Sequence, residues 1–145
     1  MAEDDLIAQW ARAVGPFDPA AVSALFTEDG IYDDVPVGKI SNGRLEREKH
    51  HRANVDMVPD HRLVDVSGFL AGTSAAVQWT MAGTLGRDET SEFATASSVR
   101  GVSMLELREG SISRCTDYWD LATMLRQLGL PMPSQETLTS AGDSE

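Results

Sequence analysis

The chain has 145 residues, 41% of them hydrophobic, and a formal net charge of -11. That length and apolar content suffice for one domain with a sizeable core. The negative balance opposes phosphate backbones and anionic lipid surfaces, so neither nucleic acid nor a membrane is expected as a partner.

The opening Met1-Ala2-Glu3-Asp4-Asp5 is acidic where a leader peptide would be basic, and no apolar run approaches the ~20 residues of a membrane helix. The single cysteine, Cys115, forbids an internal disulfide and fits a reducing cytoplasm.

Taken in order, Leu6, Ile7, Trp10 and Val14 recur at helical spacing until Gly15-Pro16 breaks the run. Asp18-Pro19 is an N-cap and first-turn pair for a second helix that turns Val22, Leu25 and Phe26 inward. Thr27-Glu28-Asp29-Gly30 reads as a turn. Ile31 to Val35 then reads as a short strand, with Tyr32 and Asp34 on one face because side chains alternate. Pro36 to Gly43 reads as loop. A charged third helix follows from Arg44 to Val58, with a sparse apolar stripe, and Pro59-Asp60 ends it.

Four strands come next: His61 to Leu70, Ala75 to Leu85, Thr95 to Leu107 and Ser111 to Asp117, with Arg87 to Glu92 as a polar hairpin loop. Residues 1–130 form a single domain on this reading, and 131–145 form a polar tail expected to lack fixed structure. Helices first, then a strand, a helix and a run of antiparallel strands make an α+β pattern.

The stretch from Gly110 to Leu130 carries the clearest chemistry. After the turn at Arg108 to Ser111, Ile112, Arg114 and Thr116 alternate with Ser113, Cys115 and Asp117. A helix begins beyond, with Leu121, Leu125 and Leu128 on one face; Gly129 stops it and Pro131 prevents a restart. Asp117 thus lies where strand gives way to helix, beside Tyr118 and Trp119. Burial among large apolar groups favours the neutral form of a carboxyl group and readies it to exchange a proton nearer neutrality. The alternative is a structural salt bridge with Arg114 or Arg100. Asp120 is better placed to cap the helix.

The segment Asp117-Tyr118-Trp119-Asp120, behind a glycine turn and strand, resembles the end of the nuclear transport factor 2-like superfamily. More narrowly it is similar to the SnoaL-like polyketide cyclases and the limonene-epoxide-hydrolase relatives. The order of elements from Leu6 to Gly129 agrees. The resemblance implies a cone: a curved antiparallel sheet wrapped around N-terminal helices, with one deep apolar pocket and a late-strand carboxylate, here Asp117, directed into it. It also implies pairing through the open sheet face, hence a homodimer.

Thr27 to Asp34, TEDGIYDD, resembles the segment in which ketosteroid isomerases carry a general base, which gives Asp34 that role by resemblance; alternatively Asp33-Asp34 is a solvated strand end. Tyr32 is a candidate hydrogen-bond donor to a substrate oxygen, or else a core aromatic with its hydroxyl at the rim. Trp10, Phe69, Trp79, Met81, Met104 and Trp119 are candidates for the pocket wall. His50 and His51 are expected at a solvated or rim position, because adjacent helix residues diverge and no metal-ligand spacing accompanies them. His61 could reach the pocket mouth. Cys115 shares strand parity with Asp117 but has no partner for nucleophilic work.

The Arg-x-Asp of the epoxide hydrolases is missing from Ala75 to Met81, where Gln78 and Thr80 stand, so water activation for epoxide opening is poorly supported. The oxyanion hole of the steroid isomerases is also incomplete: Trp10 and Ser103 or Gly101 fall at those places. Two carboxylates, a tyrosine and an apolar cavity suit proton transfer next to a carbonyl, with neither metal nor organic cofactor. The sequence therefore points to a cyclase, isomerase or lyase acting on an apolar polyketide- or terpenoid-like carbonyl compound. A non-catalytic small-molecule-binding or dimeric adaptor domain is the alternative.

Overall fold

The computed structural model describes residues 3–85 and 95–131, together with 142. The hairpin loop expected at Arg87 to Glu92 and nearly all of the tail expected at 131–145 lie outside the described residues. The elements run α1 (Glu3–Val14), α2 (Pro19–Ala24), β1 (Phe26–Asp34), a 3₁₀ turn (Val35–Val37), β2 (Lys39–Asn42), α3 (Gly43–Met57), β3 (Arg62–Ala71), β4 (Ser74–Leu85), β5 (Thr95–Arg108), β6 (Ser111–Trp119) and α4 (Leu121–Gln127).

Local signals set most of these boundaries. The Asp18 carboxylate accepts from the amides of Ala20 and Ala21 and caps α2, while Asp120 accepts from the Thr123 amide and caps α4. Gly129, at φ +69°, takes the left-handed conformation that ends α4.

Thr27 to Gly30 is not the turn expected from its composition. It belongs to β1, where Phe26 pairs with Ile112 and Ile31 to Asp34 pair with Arg114 to Asp117; the register slips between the two, so the turn residues form an irregularity within a strand. The loop expected from Pro36 to Gly43 likewise holds β2, which pairs with β1 after a tight reversal at Gly38.

The six strands form one curved sheet in the order β2-β1-β6-β5-β4-β3. Every neighbouring pair is antiparallel except β1 and β6, which run parallel. Irregularities in register within β1, β3 and between β5 and β6 bend the sheet. α1 packs on β3, α3 on β1 and α4 on β5. The core between helices and sheet contains Leu6, Trp10, Val22, Val77, Leu105 and Ile112. Gly101 makes room there for a large ring: any Cβ at this position would collide with the Trp79 indole.

Strand parity divides the sheet into two faces. One row of cross-strand neighbours runs Val77, Ser103, Asp117, Asp34, all buried. The next row, one residue along each strand, runs Phe69, Ala76, Met104, Thr116, Asp33 on the outer face.

Phe69, 58% exposed, and Met104, 43% exposed, therefore do not line a pocket, contrary to expectation. In β5 the odd-numbered residues are the buried ones, which puts polar Ser103 inside and apolar Met104 outside. In β3 the cause is the irregularity between Val64 and Ser67, where Asp65 sits at φ +54°. Leu63 packs against the core before it and Val66 and Leu70 after it, so alternation counted from Leu63 reaches Phe69 in the wrong phase.

Candidate active site

β6 delivers Asp117 to the concave face, and its two strand neighbours flank it: Ser103 on β5 and Asp34 on β1. Asp117 makes no salt bridge with any described residue. Ser103 Oγ donates to Oδ1 at 2.5 Å and Tyr32 Oη donates to Oδ2 at 2.5 Å. Cys115 Sγ, two residues back on the same face, donates to Oδ1 at 3.3 Å. Ser103 is itself oriented, because Trp79 Nε1 donates to its Oγ at 3.0 Å. The result is a directed chain from Trp79 through Ser103 to Asp117. Arg114, a candidate partner for Asp117 in the sequence, pairs instead with Asp33 at 2.7 Å on the other face.

Asp34 is buried too, at 5% exposure, so it is not a solvated strand end. Trp119 Nε1 donates to its Oδ1 at 2.8 Å, and His50 Nε2 lies 2.9 Å from its Oδ2.

His50 and His51 were expected at a solvated or rim position; both are buried and line the cavity. Adjacent helical residues diverge by about 100°, and the inward face of a helix is about that wide. The inward positions of α3 are Arg47, His50, His51 and Asn54, spaced i, i+3, i+4, i+7. The helix thus buries a polar stripe, which a search for apolar periodicity passes over.

Arg47, fully buried, secures that helix: its guanidinium lies 4.5 Å from the centre of the Phe26 ring and donates to the Gly30 carbonyl at 2.6 Å. The Tyr32 ring packs against both imidazoles, with centroids 5.1 Å from His50 and 5.0 Å from His51.

The electrostatics follow from burial. Desolvation raises the Asp117 pKa above 3.8; the bonds from Ser103, Tyr32 and Cys115 work against that rise, and the nearby Asp34 adds to it. Burial, with Asp117 alongside, pushes the Tyr32 hydroxyl well above 10 and the Cys115 thiol well above 9, so both stay protonated and Cys115 is no nucleophile. Desolvation lowers His51 to about 4, helped by His50 and Arg47, and also lowers His61. Both are neutral imidazoles near pH 7.

These groups share one cavity of about 390 Å³. Asp117, Asp34 and Tyr32 lie on its wall, as do Trp10, Trp79, Met81 and Trp119. Among the described residues no group of three or more His, Cys, Asp or Glu side chains is arranged to hold a metal ion. Lys39, His50, His51 and Asn54 also line the cavity and Ser103 stands behind Asp117, none of them proposed for the site from the sequence, and His61 does reach the cavity wall.

A curved open sheet closed over by helices is the nuclear transport factor 2-like fold. Within it the chain belongs to the SnoaL-like family: the model of the SnoaL-like domain matches residues 7–115. No curated protein matches the sequence.

Among solved structures the chain is similar to a Catenulispora acidiphila protein of ketosteroid isomerase-like fold in complex with trimethylamine, at 24% identity and a TM-score of 0.77, over 90% of this chain and 96% of that one. It is also similar to a phenazine biosynthesis-related protein of Pseudomonas aeruginosa (17%, TM-score 0.76, 91% and 88%). A third is a Silicibacter protein provisionally called a polyketide cyclase (26%, TM-score 0.71, 86% and 93%). No described helix is long and apolar enough to cross a membrane.

Proposed function

We propose that this chain is a cofactor-independent acid/base enzyme, a cyclase, isomerase or lyase acting on an apolar polyketide- or terpenoid-like carbonyl compound. The observation that carries the reading is Asp117: a buried carboxyl group with a raised pKa, held by Ser103 and Tyr32 and facing a largely apolar cavity. A carboxyl group locked in a salt bridge within a filled pocket would instead have favoured a binding or adaptor module. The name of the Silicibacter neighbour points the same way.

In this reading the substrate carbonyl lies beside Tyr32. Asp117 takes a proton from the carbon next to it, and the electrons of the broken C–H bond move onto the carbonyl oxygen. Once Asp117 holds that proton, the Tyr32 hydroxyl, until then donated to Oδ2, turns to donate to the enolate oxygen. Return of the proton at another carbon is isomerisation, and attack of the enolate carbon on a second carbonyl is aldol cyclisation. Expulsion of a β-hydroxyl, protonated from the Asp34–His50 pair, is dehydration. The same site lacks the Arg-x-Asp that would support epoxide hydrolysis.

The exposed Ile40, Phe69, Met104 and Tyr118 on the outer sheet face support a homodimer paired through that face. The lone buried Cys115 fits a reducing cytoplasm.

Proton abstraction can be tested without the true substrate. In D₂O, wild-type protein should speed the exchange of the C2 hydrogens of 1-tetralone, followed by proton NMR. Demonstrated binding with no acceleration over buffer would contradict the enzyme and leave the binding module.

A further inference from the structure

The two oxygens of Asp117 are bonded unequally. An ionised carboxyl group offers about four acceptor sites, shared evenly between its oxygens. Among the described residues both sites of Oδ1 are taken: Ser103 Oγ donates at 2.5 Å and Cys115 Sγ at 3.3 Å. Oδ2 accepts only from Tyr32 Oη, at 2.5 Å, which leaves it one open site. The donors on Oδ1 are fixed in place. Ser103 is fully buried, and Trp79 Nε1, which can only donate, bonds to its Oγ and so turns the serine proton toward Asp117. That indole is seated over Gly101, where any Cβ would collide with it. Cys115 is buried as well and keeps its proton, because burial and the adjacent Asp117 push its thiol well above 9.

Asp117 itself lines the cavity and retains 9% exposure, so a ligand in the cavity meets this carboxyl group. A proton delivered there finds Oδ1 full and Oδ2 with room. Tyr32 depends on which oxygen is used. A protonated oxygen is a weaker acceptor, so a proton on Oδ2 loosens the bond from Tyr32 and frees that hydroxyl for the enolate oxygen. A proton on Oδ1 would leave Tyr32 bound to Oδ2 and the enolate without its donor.

We infer that Ser103 and Cys115 are positioning residues that reserve Oδ1, so that Oδ2 takes the substrate proton and by taking it releases Tyr32. The C–H bond breaks, the O–H bond forms on Oδ2, and Ser103 and Cys115 keep their own protons throughout. The inference rests on the acid/base reading of the cavity and adds the atom at which it acts.

Cys115 is the single cysteine of the chain, so the S–H infrared stretch of wild-type protein reports on Oδ1. The band should lie below that of a thiol in hexane and fall further as Asp117 ionises. With Asp117 protonated it should still lie below the hexane position, because Oδ1 remains an acceptor. The other titratable groups around this carboxyl are Tyr32 and Asp34 on β1 and His50 and His51 on α3. Asp117→Asn, in which the band should not move with pH, separates their titration from that of Asp117. A wild-type band that returns to the hexane position on protonation puts the proton on Oδ1 and overturns the inference, as does a band indifferent to pH.

Exchange of the C2 hydrogens of 1-tetralone in D₂O, followed against pH, supplies the second test. Ser103→Ala opens a site on Oδ1. The midpoint of the rising limb should then move up by about 1–2 pH units, the worth of one hydrogen bond to a charged group, and the plateau rate should fall. Cys115→Ala removes a weaker donor and should move the midpoint up by less, while Cys115→Ser, which supplies a stronger one, should not move it up. If Ser103→Ala fails to fold, the two Cys115 variants carry the comparison. Exchange with a wild-type profile in the folded alanine variants overturns the inference and leaves the acid/base reading standing. Wild-type protein that binds 1-tetralone without exchanging it overturns that reading and the inference with it.

Discussion

Asp33 and Asp34 are neighbours in one strand, yet they belong to different chemistries. Asp33 faces outward, in a row with Thr116, Met104 and Phe69, and pairs with Arg114 where water reaches both. Asp34 faces inward, in a row with Asp117 and Ser103, and meets only an imidazole and an indole N–H. The outer row follows the rules of a surface, where a charge finds an opposite charge and the pair is worth little. The inner row breaks the rule that apolar residues go inside, and places a serine and two aspartates where the core should be. Such an arrangement costs stability, and that cost supports the proposal that the inner row forms the site.

The comparison can be sharpened by perturbing one side at a time. The largest stability effect is expected from the inner wall. His51 has a pKa of about 4 folded against 6.5 as a free side chain. Between those values the unfolded chain binds the extra proton, so folding stability rises with pH across that window and is lost as pH falls through it. The full swing is on the order of 3 kcal/mol. His51→Gln should flatten the acid limb of a stability profile recorded from pH 3 to 8. An acid limb of unchanged steepness would show that His51 is not desolvated.

A smaller loss is expected from Ser103→Ala. It strands Trp79 Nε1 and removes a donor from Asp117, at a cost of about 1–3 kcal/mol by urea unfolding. The loss of that donor should raise the Asp117 pKa further, which a carboxyl ¹³C titration would detect. Smallest of all, Met104→Ser on the outer face should change stability by about 0.5 kcal/mol or less, while weakening the proposed dimer in light scattering. Equal costs at 103 and 104 would erase the distinction between the faces.

The sequence carried much of this and lacked identifiable parts. The strands from Ala75 to Asp117 were legible because their alternation is long, and the common parity of Cys115 and Asp117 followed from it. Parity alone does not say which phase faces in: with Ser103 polar and Met104 apolar, hydrophobicity pointed the wrong way. In β3 the irregularity at Asp65 shifted the phase, and Phe69 with it. In β1 the turn-forming residues Glu28 to Gly30 sit inside a strand, because parallel pairing with β6 is a long-range event that local composition cannot report. The inward stripe of α3, buried Arg47, His50 and His51 with half-buried Asn54, was written in plain helical spacing but in polar residues. His50 and His51 were misplaced for that reason.

The central claim is that the inner row exchanges protons and the outer row does not. Asp117→Asn and Asp33→Asn, compared by C2 hydrogen exchange of 1-tetralone in D₂O and by thermal unfolding, test it most directly. Asp117 has a raised pKa when folded, so at pH values above its unfolded value of 3.8 the unfolded chain releases the proton first, and ionisation opposes folding. Asp117→Asn should therefore keep or raise the melting temperature at pH 7 while slowing exchange by roughly 10²–10⁴-fold. Asp33→Asn should cost about 0.2–1 kcal/mol and leave exchange intact. An Asp117→Asn protein that unfolds readily yet exchanges at the wild-type rate would contradict the account.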